Sequence, residues 1–241
     1  MQDKRHRTGR GALRALILLA TAISAASAQA ATRGYTITSF DAIRVDAPVN
    51  VIVTTGLGPS ARAEGDQRML DRLKVDVSGR LLSITMDRGQ PGENGRGSAT
   101  LHLSTGALGR IVLTGGGSVS VNRMKGLRGE IVLGGNGDVT VDTVELDQVD
   151  LGVAGGGRVT LNGKTGVANI HVTGPGAVAA ERLSTQQASI RNEGPGSIAI
   201  TTNVNARVTA SGSGDVIVSG KAACSVDNRG TGRINCGDKS F

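Results

Sequence analysis

A chain of 241 residues has room for one elongated domain or two small ones, and this one carries 37 glycines against three aromatic side chains, Tyr35, Phe40 and Phe241. The core must therefore be built from Val, Ile, Leu and Ala, and because the glycines follow no Gly-x-y triplet, collagen is excluded. The formal net charge of +7 falls to +3 once the five basic residues and one acid of the first thirty positions are set aside, which together with the missing aromatic platforms argues against a nucleic-acid partner.

Residues 1–30 read as a signal peptide. Lys4, Arg5, Arg7, Arg10 and Arg14 form a basic start, Ala15 to Ala26 a short apolar run, and Ala26-Ser27-Ala28 or Ala28-Gln29-Ala30 a small-x-small cleavage site. The apolar run is too short to span a bilayer comfortably, no twin-arginine pair occurs, and no cysteine near the cleavage site suggests a lipoprotein. No later stretch is apolar enough to cross a membrane. The expectation is export, with cleavage after Ala28 or Ala30, to the periplasm, the cell surface or the medium, leaving residues 31–241 as one domain.

Residues 35–110 are strand-like but irregular. Val45 and the run Val49 to Val53 read as strands around Pro48; Leu73 to Val77 and Leu81 to Met86 flank a turn at Ser78-Gly79-Arg80. Met69 to Leu73 reads as a helical turn or an irregular cap. Arg88 to Gly97, polar and glycine-rich, reads as an exposed loop. Leu101-His102-Leu103 resumes alternation, with His102 facing solvent. These are the features of first coils and a cap, since the end of a solenoid core has to be covered.

From residue 111 to 236 the chain repeats itself seven times: IVLTGGGSVSV, IVLGGNGDVTV, LGVAGGGRVTL, IHVTGPGAVAA, IRNEGPGSIAI, VTASGSGDVIV and VDNRGTGRINC. The second glycines of the Gly-x-Gly pairs are Gly117, Gly137, Gly157, Gly176, Gly196, Gly214 and Gly232, at spacings of 20, 20, 19, 20, 18 and 18 residues. Six positions before each stands Ile, Leu or Val, and two positions after it Val or Ile, so apolar residues alternate on both sides of the corner with the strand period. One such unit cannot bury its own apolar face, but stacked units place like residues in columns and make a continuous core. Strands about 20 residues apart then pair in parallel, and right-handed crossovers are the strong default. The predicted fold is all-β: a right-handed parallel β-helix with coils of 18–20 residues. The competing arrangement is an antiparallel sandwich or barrel, which Gly-rich turns at short intervals also fit. The glycines are expected to supply either positive φ or close backbone approach at the corners.

FDAIRVDAPVNVIVTTG from Phe40, LDRLKVDVSGRLLSITMD from Leu70, GGNGDVTV from Gly134 and SGSGDVIVSG from Ser211 together resemble the head GIN domain family, the putative autotransporter adhesin heads. The resemblance runs from about Phe40 to Cys236. It implies an exported β-helix of bacterial envelopes, with no established activity and no functional residues to carry over.

Sites are sparse. A calcium-binding β-roll needs an aspartate two residues after its third glycine, whereas Asp138 and Asp215 come one residue after theirs and the other repeats carry no acid there, so no metal is expected. No phosphate loop, G-x-S-x-G elbow or H-E-x-x-H is present, and past residue 30 only His102 and His171 remain as histidines. The ranked Thr-x-Thr of an ice-binding wall dissolves after Thr160. No cofactor is expected. Asn192 and Asn228 fall on an otherwise apolar inward column and are expected to bond the turn backbone. Cys224 and Cys236, twelve residues apart on inward columns of an exported chain, are expected to form a disulfide. Stacking gathers His171, Arg191, Glu193, Asp227 and Arg229 on one outward wall. The functional expectation is a non-catalytic envelope or cell-surface module binding an envelope glycan or surface protein through that wall; the competing reading is a polysaccharide-active β-helix enzyme.

Overall fold

The computed structural model describes residues 31–87 and 97–241. The signal peptide read from residues 1–30, and all of the Arg88–Gly97 loop except Gly97, lie outside the described residues. The chain is a parallel β-solenoid of about six turns, and the antiparallel sandwich is displaced by it. The repeat begins with β8 (Arg110–Leu113), β9 (Ser118–Val121) and β10 (Met124–Leu133). It continues through β11 (Asp138–Val153), β12 (Arg158–Val172), β13 (Ala177–Asn192) and β14 (Ser197–Ala210), each running from one Gly-x-Gly corner to the next. It ends in β15 (Val216–Ser219), β16 (Ala223–Asn228), β17 (Ile234–Cys236) and the short β18 (Lys239–Ser240).

Register follows the repeat. Ile111 pairs with Ile131, Ile131 with Leu151, Leu151 with Ile170, Ile170 with Ile190, Ile190 with Val208 and Val208 with Val226. The run before each corner forms a first wall, and the run after it forms a second, on which Val119, Val139, Val159, Val178, Ile198, Val216 and Ile234 are stacked and fully buried. Both columns join one apolar core.

The corner glycines answer to crowding, not to φ: none of the Gly-x-Gly pairs has a left-handed backbone. A Cβ on Gly137 would collide with the carbonyl oxygen of Gly117, one on Gly157 with that of Gly137, and one on Gly214 with that of Gly196. Each corner lies directly on the carbonyls of the preceding coil and leaves no room for a side chain. The same backbone groups close the ladder, as where Gly134 N donates to Leu113 O at 2.8 Å and Ala154 N to Leu133 O at 2.9 Å.

The N-terminal third comprises β1 (Ala31–Tyr35), β2 (Ala42–Val45), β3 (Asn50–Thr55), β4 (Ser60–Gly65), α1 (Gln67–Arg72), β5 (Leu73–Ser78), β6 (Leu81–Met86) and β7 (Ala99–Thr105). β2 and β3 form a coil in register with β8 and β9: Ile43 pairs with Ile111 and Val51 with Val119. Their corner holds Ala47 and Val49, both buried, where later coils hold glycine. The glycines of the next coil, Gly115 and Gly117, lie against the backbone of Ala47 and Val49, where an added Cβ would collide. Beyond β6 and β7 the chain turns antiparallel, β5 pairing with β6 and β4 with both β7 and β1. Helix α1, capped by Asp66 accepting from Arg68 N at 2.9 Å, packs Met69 and Leu70 into the end of the core. β1 and β4 had no signal in the sequence because, Tyr35 apart, alanine is the only apolar residue in ATRGY and SARAEG.

At the other end Cys224 and Cys236 are disulfide-bonded, their Cα atoms 6.5 Å apart. They stack under Ala206 and Val218, and β18 folds back antiparallel on β17.

Candidate functional site

The outward residues of the first wall form two stacked columns. One runs Val132, Gly152, His171, Arg191, Thr209, Asp227; the other runs Glu130, Asp150, Asn169, Ser189, Arg207, Ser225. Strand alternation points them away from the core, and parallel register sets successive members about 4.8 Å apart.

The five residues gathered by sequence stacking fall into two clusters. His171 Nε2 lies 3.3 Å from Glu193 Oε1, and Arg191 Nε lies 3.9 Å from the same oxygen. Arg229 grips Asp227 through two bonds of 3.1 and 2.8 Å. The coil carrying Thr209 separates the two. All five side chains are about half exposed or more, so these ion pairs contribute little to stability.

A third cluster was not read from the sequence. Asp150 accepts from Asn169 Nδ2 at 2.7 Å and from Gln148 Nε2 at 2.8 Å, and Arg128 Nε stands 3.7 Å away. Burial works to raise the Asp150 pKa, but the hydrogen bonds from Asn169 and Gln148 and the charge of Arg128 outweigh it and hold the carboxyl below its ordinary range. A general acid needs the opposite shift. Arg110 pairs with Glu130 at 3.3 Å alongside. The signal for this cluster lay in the column seven positions before each second glycine, which becomes meaningful only when read beside its neighbour two positions on.

Between these clusters the wall dips into a shallow groove crossing the stack. Glu130, Val132, Asp150, Gly152, Asn169 and His171 line one part of it and Arg191, Arg207 and Thr209 another, over the strand positions of Ile131, Leu151, Ile170 and Ile190. Of the five sequence-derived residues the groove takes in His171 and Arg191, while Glu193, Asp227 and Arg229 stand outside its lining.

The calcium candidates are engaged otherwise. Asp138 accepts from the backbone N–H of Arg158 at 2.9 Å, and Asp215 from that of Arg233 at 2.8 Å, each tying one coil to the next. No group of three metal-ligating side chains converges among the described residues. Asn192 donates to the carbonyls of Gly196 and Gly214 at 2.8 and 3.2 Å, and Asn228 to Gly232 at 3.1 Å, as turn-bonding asparagines should. His102 faces solvent from β7.

Fold and wall together define a β-solenoid that carries its polar chemistry on an open outer surface. The chain belongs to the family of the putative auto-transporter adhesin, head GIN domain, which it matches over residues 39–222. Its fold is shared by a putative adhesin from Bacteroides fragilis (21% identity, TM-score 0.77, covering 87% of this chain and 97% of that one). It is shared also by a putative lipid binding protein from Parabacteroides distasonis (20% identity, TM-score 0.68, covering 86% and 96%). A putative adhesin from Parabacteroides merdae is similar again (16% identity, TM-score 0.62, covering 86% and 96%). No curated protein matches the chain in sequence.

Proposed function

We propose that this protein is an exported, non-catalytic module of the cell envelope or surface that adheres to an envelope glycan or surface protein through the first wall of its solenoid. The observation that carries the reading is the wall itself: stacked outward columns of hydrogen-bonding and charged side chains, preset by their mutual bonds and bordering an open groove. The family, described as an adhesin head, supports a binding role. The lowered pKa of Asp150 speaks against acid catalysis on this wall. No helix among the described residues is long and apolar enough to cross a membrane.

A glycan and cell-envelope binding screen, run beside a polysaccharide-cleavage assay, tests this. The expected result is binding without turnover, weakened by Arg191→Ala combined with Arg229→Ala. Turnover abolished by changing His171 or Glu193 would replace the module with an enzyme. Binding indifferent to every change on the wall would move the site elsewhere on the molecule.

A further inference from the structure

Gly152 stands in the middle of the first wall for no structural reason. A Cβ built on it meets nothing within 4 Å, and its backbone is not left-handed. The corner glycines, by contrast, are each forced by a carbonyl of the preceding coil. A glycine inside a strand is less favourable than alanine, and where packing does not demand it, it commonly marks close approach by a ligand or another backbone. Gly152 lies in the floor of the groove, between Val132 and His171 in its column and next to Asp150.

The groove around it is chemically polarised. At one end the acids are matched: Glu130 by Arg110, and Asp150 by Arg128 with two amide donors. At the other end cations exceed acids. Arg191 lies near the single carboxylate of Glu193, which His171 also approaches, and among the described residues no acid lies within 4 Å of Arg207. A ligand lying across the coils over Gly152 thus meets fixed hydroxyl-recognising groups, Asp150 and Asn169, and then two guanidiniums suited to a carboxylate or sulfate. Apart from Val132 and the bare Gly152, the outward residues lining the groove carry polar or charged side chains.

Resting on the adhesion reading above, we infer that this groove is a subsite for an anionic, hydroxyl-rich glycan such as a uronate polymer, with Gly152 left bare so that a sugar ring can lie flat on the backbone. Asp150 and Asn169 bond ring hydroxyls of one unit, and Arg191 and Arg207, two and three coils further along the stack, hold the anionic substituent of a neighbouring unit.

The test is titration of the purified chain with polygalacturonate, its methyl ester, polyacrylate and phosphatidylglycerol vesicles, with melting temperature followed in parallel. Polygalacturonate should bind, and the methyl ester and polyacrylate more weakly, each by about tenfold, the scale of losing one charge-assisted or polar contact. Gly152→Val should weaken polygalacturonate binding about tenfold without lowering the melting temperature, because the added side chain enters open space while β-propensity improves. Should Gly152→Val prove destabilising, Gly152→Ala serves in its place, with a smaller loss. Asn169→Ala should weaken polygalacturonate but leave polyacrylate unchanged. Polyacrylate binding equal to polygalacturonate would reduce the groove to a charge effect, and vesicle binding with the same mutational sensitivity would replace the glycan by a lipid headgroup. Undiminished binding in the Gly152 variants would remove the groove. Envelope binding that persists without polygalacturonate binding would sink the ligand class alone, whereas no binding to either would sink the adhesion reading with it.

Discussion

Gly157 and Asp150 show how single positions carry this molecule. A Cβ at position 157 would sit on the carbonyl oxygen of Gly137, so Gly157→Ala must push two coils apart and disturb the ladder on both sides. The expected loss is about 3 kcal/mol, the upper part of the range for overpacking, read from urea unfolding. The same substitution at Gly152, where the space is open, should leave the midpoint unchanged or raised. Asp150 makes a pH prediction. Its pKa is lowered on folding, so it contributes stability above the unfolded-chain value of about 3.9 and loses that contribution as pH falls through the lower folded value. Unfolding midpoints followed from pH 6 downward should fall more steeply for the native chain than for Asp150→Asn. Equal slopes would mean that the bonds from Asn169 and Gln148 do not favour the charged form.

The last coil has a coil on one side of it only. Among the described residues β16 pairs only with β14, and β17 is covered on its far side by the two residues of β18. An edge of this kind frays or recruits another strand unless it is pinned, and the Cys224–Cys236 bridge pins it across a sequence separation of 12 residues. In the chain-entropy account a loop this small is worth roughly 3 kcal/mol. Reduction, or Cys224→Ser with Cys236→Ser, should therefore accelerate amide exchange first in β16, β17 and β18, while β11 to β13 keep their protection. Intact mass with and without reductant checks the bond itself; two thiols alkylated without reduction would exclude it. The opposite end needs no bridge, because α1 and the antiparallel strands β1, β4 and β5 already cover the core there.

At the scale of the whole molecule stability is a sum over neighbouring coils, since β11, β12 and β13 each touch chiefly the coils directly before and after them. Exchange protection should rise from both ends to a maximum in β12, and a uniform profile would show that the stack opens as one unit. β1 is hydrogen-bonded from Ala31 onward, directly after the second small-x-small site. N-terminal sequencing of the native protein should find Gln29 or Ala31 first, and a chain still starting at Met1 would defeat the signal-peptide reading.

The solenoid was legible in the sequence because a period of 18–20 residues with apolar alternation on both sides of Gly-x-Gly has one economical solution, coils in register. The same columns place Cys224 beneath Ala206 and Cys236 beneath Val218, so the bridge was legible too. Tertiary structure decided what stacking alone leaves open. It showed the corner glycines to be held by carbonyl contact and not by φ, a distinction that depends on the distance between coils and not on residue type. It put Ala47 and Val49, both buried, at the corner on which Gly115 and Gly117 rest, a placement that residue type alone does not reveal. It divided the five stacked polar residues into two ion clusters, since side-chain reach along and across strands, not column membership, determines which charges meet. And it set Asp150 and Asn169 beside a bare Gly152, with Arg207 at the far end of the same groove, a relief that no single column contains because it arises from two columns read together.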